Sequence, residues 1–188
     1  MPKNQILEKT FDMFWETDVP ENELIISRTD LKGTITYANE TFAKISGYSV
    51  DELIGKPHNI IRHPDMPKSI FENLWSTIKQ GKKWEGYIKN LRKDKGYYWV
   101  KTEISGIYKN GKLIGYKSMR YKISDTQKRQ MQNLYDKIRE EEEGIVRLVI
   151  YTKKEVYEKL EELSKKLNKH PVEIVEEAIL NFDYIKEG

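Results

Sequence analysis

The sequence predicts an α+β fold, because two β-rich runs are followed by a group of helical segments and then by three more β-rich runs. At 188 residues the chain is long enough for one full domain and one small module. A polar helical stretch and a strand-helix-helix pattern follow the last of these runs. We therefore expect a flanking cap over 1–20, a domain over 21–125, a helical connector over 126–144 and a small β-α-α module over 145–188.

The flanking segment has apolar residues at Ile6, Leu7, Phe11 and Phe14–Trp15, a spacing that predicts a short amphipathic helix. Pro20 is expected to end it. No apolar stretch typical of a secretory signal stands at the amino end, and no apolar run approaches the roughly 20 residues that span a bilayer. We expect a cytoplasmic protein without a membrane span.

The main domain is predicted to be a five-stranded antiparallel sheet with short helices that form a ligand pocket. Asp30 to Gly33 suits a tight hairpin between the first two strands, and Asn110-Gly111 suits another near the end of the domain. Asp65 is placed to cap the longest helix. The expected strands cover 24–30, 34–39, 84–92, 97–108 and 113–124, and the expected helices cover 40–45, 50–53 and 67–79.

Composition excludes several kinds of chemistry. The chain has no cysteine, which rules out disulfides, thiolate metal sites, thiol nucleophiles and photochemistry between a flavin and a cysteine. The sequence also lacks a phosphate-cradling glycine loop, a serine-histidine-acid order and a recognisable pair of catalytic carboxylates. We expect neither catalytic turnover nor a metal site.

Several sequence segments of the main domain resemble a known family. The runs GTITYANETFAKISGYSVDELIG and GKLIGYKSMRYKISD are similar to a PAS domain over about a hundred residues. A second set of segments resembles the PAS domain of bacterial aerotaxis receptors. It consists of the run KPHNIIRHPDMP, followed by NLW, the tryptophan and glycine of WEG, the pair KN and YYWV. That resemblance implies a bound FAD and a sensor of redox state or oxygen, with FMN or haem as less favoured ligands.

The residues themselves suggest where such a ligand would bind. Trp84, Gly86, Ile88 and Asn90 share one face of a strand, so an aromatic wall, a gap and an amide would line up. An Asn side chain both donates and accepts hydrogen bonds, which suits the polar edge of a flavin ring. Asn90 is our first candidate for that edge. Asn39 is the second, and its alternative role is to cap the helix that starts near Glu40.

Three further candidates lie near or on the longest helix. Arg62 and His63 precede that helix, and their chemistry alone favours structural hydrogen bonds over phosphate or ring contacts. The family resemblance instead implies that this segment lies beside the flavin. Trp75 is a weaker candidate, because a tryptophan at helical spacing is commonly a core residue. A haem would need an axial histidine, for which His58, His63 and His170 are the choices.

The tail is predicted to act as the output of the domain. Met131, Leu134 and Ile138 have heptad-like spacing in the connector. Residues 145–183 resemble the ribbon-helix-helix fold of small bacterial and phage repressors. A single strand has no partner inside such a module, so we expect a homodimer in which two chains complete the ribbon.

The resemblance implies DNA contacts from Arg147, Val149 and Tyr151 in that strand. Val149 and Tyr151 supply little polar contact, and residues 126–188 carry 12 Lys and Arg against 14 Asp and Glu. Three outputs therefore stay open. These are duplex DNA binding, docking on a chemotaxis-type receptor or signalling protein, and a PAS domain without cofactor that only binds other proteins.

Overall fold

The computed structural model describes residues 12–143 and 149–182. The chain divides into two compact units, a larger one over Thr17–Val146 and a smaller one that combines Met1–Glu16 with Arg147–Gly188. The strands are β1 (Asp12–Glu16), β2 (Ile25–Thr29), β3 (Ile35–Ala38), β4 (Trp84–Leu91), β5 (Gly96–Lys109), β6 (Lys112–Tyr121) and β7 (Val149–Thr152). The helices are α1 (Glu40–Ser46), α2 (Val50–Leu53), α3 (Lys68–Lys79), α4 (Asp125–Glu143), α5 (Lys154–Leu167) and α6 (Pro171–Phe182), and a 3-10 turn covers His58–Ile61.

The larger unit is built on a five-stranded antiparallel sheet in the order β3-β2-β6-β5-β4. This confirms the predicted sheet. The Asp30 carboxylate accepts hydrogen bonds from the backbone N–H groups of Lys32 and Thr34, which fixes the hairpin between β2 and β3. Asn110 and Gly111 have φ angles of 50° and 75°, as a two-residue hairpin between β5 and β6 requires.

The predicted helices are present, but the cap expected for α3 is not. Pro67 is the N-cap residue of α3 and makes no side-chain cap bond, while the Asp65 carboxylate pairs with Lys89 and Arg139. The first backbone N–H groups of α3, at Lys68 and Ser69, donate to the Glu142 carboxylate of α4 at 2.8 and 3.0 Å. A carboxylate from a distant helix therefore satisfies the exposed donors that a local cap would otherwise bind.

The two faces of the sheet have different neighbours. Residues that alternate along β4, β5 and β6 face the 3-10 turn and α3, and this inner side holds most of the core. Tyr87, Lys89 and Trp99 point to the outer side, where Tyr135 of α4 packs on Trp99 at 5.9 Å between ring centres. The predicted connector is thus a helix that covers the sheet. The fully buried large side chains of the domain include Ile25, Ile35, Phe42, Leu53, Ile61, Ile78, Tyr98 and Val100.

The smaller unit contains β1, β7, α5 and α6. The strands β1 and β7 pair in parallel, from Asp12 opposite Val149 to Trp15 opposite Thr152. The Trp15 ring packs on Tyr157 of α5 with 4.7 Å between ring centres, and Leu160 is buried. Among the described helices, none combines the length and apolar composition needed to cross a membrane.

Two expectations for this unit were wrong. Phe14–Trp15 lie in strand β1, not in the predicted flanking helix, whose remaining residues lie outside the described ones. Strand β7 has a partner in its own chain, so an unpaired strand no longer argues for a homodimer. The predicted order of strand, helix and helix is present. The ribbon-helix-helix resemblance, however, implied that this strand pairs with the same strand of a second chain, whereas β7 pairs with β1 of its own chain.

Candidate functional site

A cavity of about 240 Å³ lies between the inner face of the sheet, the 3-10 turn and α3. One wall is apolar, and its largest side chains come from α3 and from the strand ends. The polar lining comes from the strands and from His58 of the 3-10 turn. The apolar lining consists of Ile61, Phe71, Leu74, Trp75, Ile78, Ile88, Ile104 and Tyr116, and the polar lining includes Ser27, His58, Asn90, Thr102, Ser118 and Arg120.

Four polar atoms on the sheet side of the cavity are buried without a hydrogen-bond partner. They are Asn90 Nδ2, Thr102 Oγ1, Ser118 Oγ and Arg120 Nη1. Cross-strand pairing brings Thr102 opposite Arg120, which places these two side chains on the same face. A buried polar group without a partner is costly, so four of them around one cavity make this wall suited to a polar ligand or to ordered water.

Arg120 forms the charged part of the polar wall. Its Nη2 donates to Ser27 Oγ at 2.9 Å and contacts His58 Nε2 at 2.6 Å, while its guanidinium lies 5.0 Å from the centre of the Phe42 ring. Burial lowers the pKa of Arg120 to about 10, although Tyr98 acts in the opposite direction. Among the described residues no carboxylate pairs with Arg120. The wall therefore presents a positive charge that no carboxylate of residues 12–143 or 149–182 compensates.

His58 is neutral in this setting. Burial and, to a smaller extent, the charge of Arg120 lower the pKa of His58 to about 3. Because a guanidinium can only donate, His58 Nε2 must accept the bond from Arg120. The ring is also stacked on Phe42 at 5.7 Å between ring centres. His58 thus orients Arg120 without adding a second charge.

Of the candidate cofactor-binding residues, the structure brings Arg62, Trp75 and Asn90 to the cavity. The Arg62 guanidinium lies 4.0 Å from the centre of the Phe71 ring, and burial lowers its pKa against the opposing effect of Glu142. Arg62 and Asn90 also form an isolated antiparallel backbone bridge. The Trp75 ring packs edge-on against Tyr116 at 5.9 Å. These three predictions therefore converge on one site.

The other three cofactor candidates do not line the cavity. Asn39 caps α1, since its Oδ1 accepts from the backbone N–H groups of Phe42 and Ile26 and its Nδ2 donates to Leu24 O. Trp84 turns its ring over Gly86, filling the expected gap, and its Nε1 donates to Asn73 at 3.0 Å. His63 is buried with its Nδ1 accepting from the Asp65 backbone N–H at 3.1 Å.

The proposed DNA-contacting residues belong to the smaller unit. Val149 and Tyr151 lie in β7, which pairs with β1. Arg147 lies outside the described residues.

Several lining residues were missed by the sequence analysis. Ser118 and Arg120 stand two apart in the run KSMRY, and Thr102 stands two before Ile104, so each pair shares a face. This alternation was available in the sequence, but nothing local shows which face of a strand is the inner one. Ser27 and His58 lie far apart along the chain and meet only through the fold.

The geometry agrees with a known family. Residues 35–120 match the PAS fold family. The chain is 42% identical over 119 residues to the aerotaxis receptor of Escherichia coli K12, a match that covers 63% of this chain and 24% of that protein. It is 32% identical over 109 residues to a nitrogen fixation regulatory protein of Klebsiella pneumoniae, covering 57% of this chain and 22% of that one. The chain therefore spans about a quarter of the length of these relatives.

A solved structure shares the same fold. The dark structure of the blue-light photoreceptor Aureochrome1 LOV superposes with a TM-score of 0.53 at 21% identity, covering 58% of this chain and 83% of that one. At this identity the likeness concerns the fold alone. The two sequence relatives are, by name, a receptor and a regulatory protein, and this chain is similar to a part of each.

Proposed function

We propose that the PAS domain is a redox or oxygen sensor that binds the ring of a flavin, most simply FAD, in its cavity. The observation that carries this proposal is the set of four unpartnered polar atoms around Arg120. The resemblance of the central run to aerotaxis receptors implies the same ligand class, and it favours sensing over catalytic turnover.

The residues present fit a flavin ring. Such a ring has broad apolar faces and one polar edge with carbonyl oxygens and nitrogens. The apolar wall with Trp75, Ile78 and Tyr116 suits the faces, while Asn90 Nδ2, Thr102 and Arg120 offer donors to the edge. When bound, a flavin supplies a ring that accepts and releases electrons.

The size of the cavity limits how much of the ligand it encloses. Its volume of about 240 Å³ is just below the range of roughly 300–1,000 Å³ found for typical ligand pockets. The ring alone would therefore be enclosed, and the rest of FAD would extend outward. Exposed Lys32 and half-buried Arg62 line the cavity and offer positive charge to phosphate groups.

Arg120 gives the site its sensitivity to charge. In a buried position a fixed positive charge favours negative charge on a neighbouring group far more than it would in water. Ser27 and His58 hold Arg120 in place, so its charge favours negative charge on the polar edge of a ligand that lies next to Nη1. The protein thereby favours the electron-rich form of its ligand. A haem is less favoured, because His58 is the one histidine that lines the cavity, and its Nε2 is held by Ser27 and Arg120.

For the output we propose contact with another signalling protein, such as a chemotaxis-type receptor. The matched aerotaxis receptor supports this route, and the excess of acidic residues over 126–188 does not favour DNA. Transcriptional output through a dimer of the C-terminal module is the alternative. Salt-sensitive gel shifts with the chain's own upstream DNA would favour that alternative, and the absence of any shift would favour the protein partner.

The test of ligand binding uses the purified full chain and its Asn90→Ala and Asn133→Ala variants. We expect a flavin absorption spectrum or binding of added FAD at micromolar concentration. Loss of a buried hydrogen bond in Asn90→Ala should weaken binding by roughly 5- to 150-fold. Asn133 is exposed on α4, so its variant should bind as the parent does. A colourless protein that refuses FAD would refute the proposal and favour an interaction module without cofactor.

A further inference from the structure

The polar lining of the cavity contains a cluster of three neighbouring residues. Thr102 of β5 lies directly opposite Arg120 of β6, and Ser118 stands two residues before Arg120 on the same face. All three are buried and line the cavity. One polar atom of each, namely Thr102 Oγ1, Ser118 Oγ and Arg120 Nη1, has no hydrogen-bond partner. A ligand inside the cavity can therefore meet three hydrogen-bond donors at one place.

This cluster carries one positive charge. Arg120 Nη2 donates to Ser27 Oγ at 2.9 Å and to His58 Nε2 at 2.6 Å, which leaves Nη1 for a ligand. Although burial lowers the pKa of Arg120 to about 10, the guanidinium stays charged at neutral pH. Among the described residues that line the cavity, Lys32 and Arg62 are also cationic, but they are exposed and half-buried. The buried end of the cavity therefore attracts one negative charge.

A carboxylate matches the cluster in both charge and hydrogen bonding. It accepts hydrogen bonds at two oxygens and donates none, while Thr102, Ser118 and Arg120 can all donate. Hydrogen bonds between a guanidinium and a carboxylate are also among the strongest in proteins. A neutral ligand would satisfy the same donors but would leave the charge of Arg120 buried without a counter-charge. The cluster therefore favours a carboxylate over a neutral polar group.

The rest of the lining selects the body of such a ligand. Leu74 and Ile78 of α3 and Ile88 and Ile104 of the sheet contribute apolar surface, which an inorganic anion would leave in contact with water. The volume of about 240 Å³ lies below the range of roughly 300–1,000 Å³ for ordinary ligand pockets. A fully enclosed ligand must therefore be small. A short aliphatic or single-ring aromatic monocarboxylate meets both conditions.

We propose that the cavity binds a small apolar monocarboxylate, held at its carboxylate by Thr102, Ser118 and Arg120, and that this ligand excludes the flavin. The binding of the acid is independent of the proposed function. Its competition with the flavin rests on that function, since it gives the flavin site a regulator. Both ligands need Arg120 Nη1 and the same enclosed space, so they cannot bind together. The concentration of the acid then sets how much of the PAS domain carries its flavin.

Asn90 distinguishes the two ligands. It lines the cavity, but its partner on β5 is Tyr98, which precedes Thr102 by four residues. Four residues of a strand span about 13 Å. A single-ring acid bound at Thr102 and Arg120 therefore does not reach Asn90, whereas the longer ring system of a flavin extends toward it.

The experiment is a calorimetric titration of the purified full chain, freed of flavin, with benzoate at pH 7. Benzamide is the matched control ligand, because it has nearly the same shape but no charge. We expect benzoate to bind in the micromolar to low millimolar range, and benzamide to bind roughly 10- to 150-fold more weakly. Equal affinity for the two compounds, or no binding of benzoate up to about 10 mM, would overturn the proposal and indicate that ordered water satisfies the cluster.

Substitutions test the placement of the carboxylate. Thr102→Val keeps the shape of the side chain and removes one donor, so it should weaken benzoate binding roughly 2- to 12-fold. Thr36→Val changes an exposed threonine of β3 and should bind benzoate as the parent does. Arg120→Met should lose the preference for benzoate over benzamide. Asn90→Ala should bind benzoate normally, and a loss of affinity as large as that of Thr102→Val would refute this placement.

Competition is measured by titrating FAD into the parent chain with and without benzoate. Benzoate at about ten times its own dissociation constant should weaken the apparent affinity for FAD roughly 10-fold. If FAD binds equally well in both titrations, the inference is wrong while the proposed function stands. If benzoate binds but FAD does not, the proposed function fails, and the carboxylate site stands without a role in flavin loading.

Discussion

Replacing Arg120 with methionine should change the stability of the ligand-free protein little while removing its ligand binding. Arg120 is 2% exposed, and its pKa falls from the usual 12.5 to about 10. Each factor of ten in acidity is worth about 1.4 kcal/mol, so the folded protein disfavours this charge by roughly 3 kcal/mol. The guanidinium nevertheless stays charged at neutral pH, and the whole cost therefore reduces stability.

Three lost contacts offset the stability that is gained when the buried charge is removed. The contact with the Phe42 ring is worth roughly 0.5–2 kcal/mol, and the bonds to Ser27 and His58 add about 1 kcal/mol each. Ser27 Oγ and His58 Nε2 stay within 3.1 Å of each other, so each retains a partner after the substitution. Methionine also fills most of the volume with apolar atoms. The net expectation is therefore a change within about 1 kcal/mol of zero.

The assay is urea unfolding of the full chain at pH 7, with and without FAD, for Arg120→Met and for Arg129→Met as an exposed control. FAD at 100 times its dissociation constant should stabilise the parent by about 2.7 kcal/mol and leave Arg120→Met unchanged. Ligand-free Arg120→Met that is less stable than the control by more than about 1 kcal/mol would refute the reasoning about buried charge. Undiminished stabilisation by FAD would refute the role of Arg120 in the site.

Two further predictions concern residues outside the cavity. Burial, partly opposed by Asp65, lowers the pKa of Lys89 from 10.5 to about 8. Between pH 8 and 10.5 the folded protein therefore binds fewer protons at Lys89 than the unfolded chain does, so Lys89 makes the free energy of unfolding rise with pH. Urea unfolding of Lys89→Met across this pH range should lack that rise. Parallel pH profiles of the parent and the variant would contradict this prediction. Asn39→Ala should cost about 1–3 kcal/mol in stability through the loss of a cap and of two further hydrogen bonds, yet leave the affinity for FAD unchanged in titrations of the folded protein. Weaker FAD binding with unchanged stability would instead place Asn39 at the ligand.

The candidate site was only partly predictable. The alternation along β4 correctly placed Asn90 and Ile88 on the inner face, but it could not show that Trp84 would fold back over Gly86. His63 and Asp65 were expected at the ligand and at a helix cap. They lie instead behind the cavity, because Lys89 and Arg139 compete successfully for the Asp65 carboxylate. A charge partner that is 24 or 74 residues away leaves no local mark in the sequence.

The sequence by itself determined the order of strands and helices in the PAS domain, since periodicity, turn residues and caps act within a few neighbouring residues. It did not determine which strand pairs with which. Strand β1 was mistaken for a helix because Phe14 and Trp15 continue the helical spacing of the preceding apolar residues, and its partner β7 lies more than 130 residues further along the chain. Only the tertiary structure brought Ser27, His58 and Arg120 together and seated Arg139 on Asp65. Such contacts depend on burial and distance between remote segments, which no local pattern encodes.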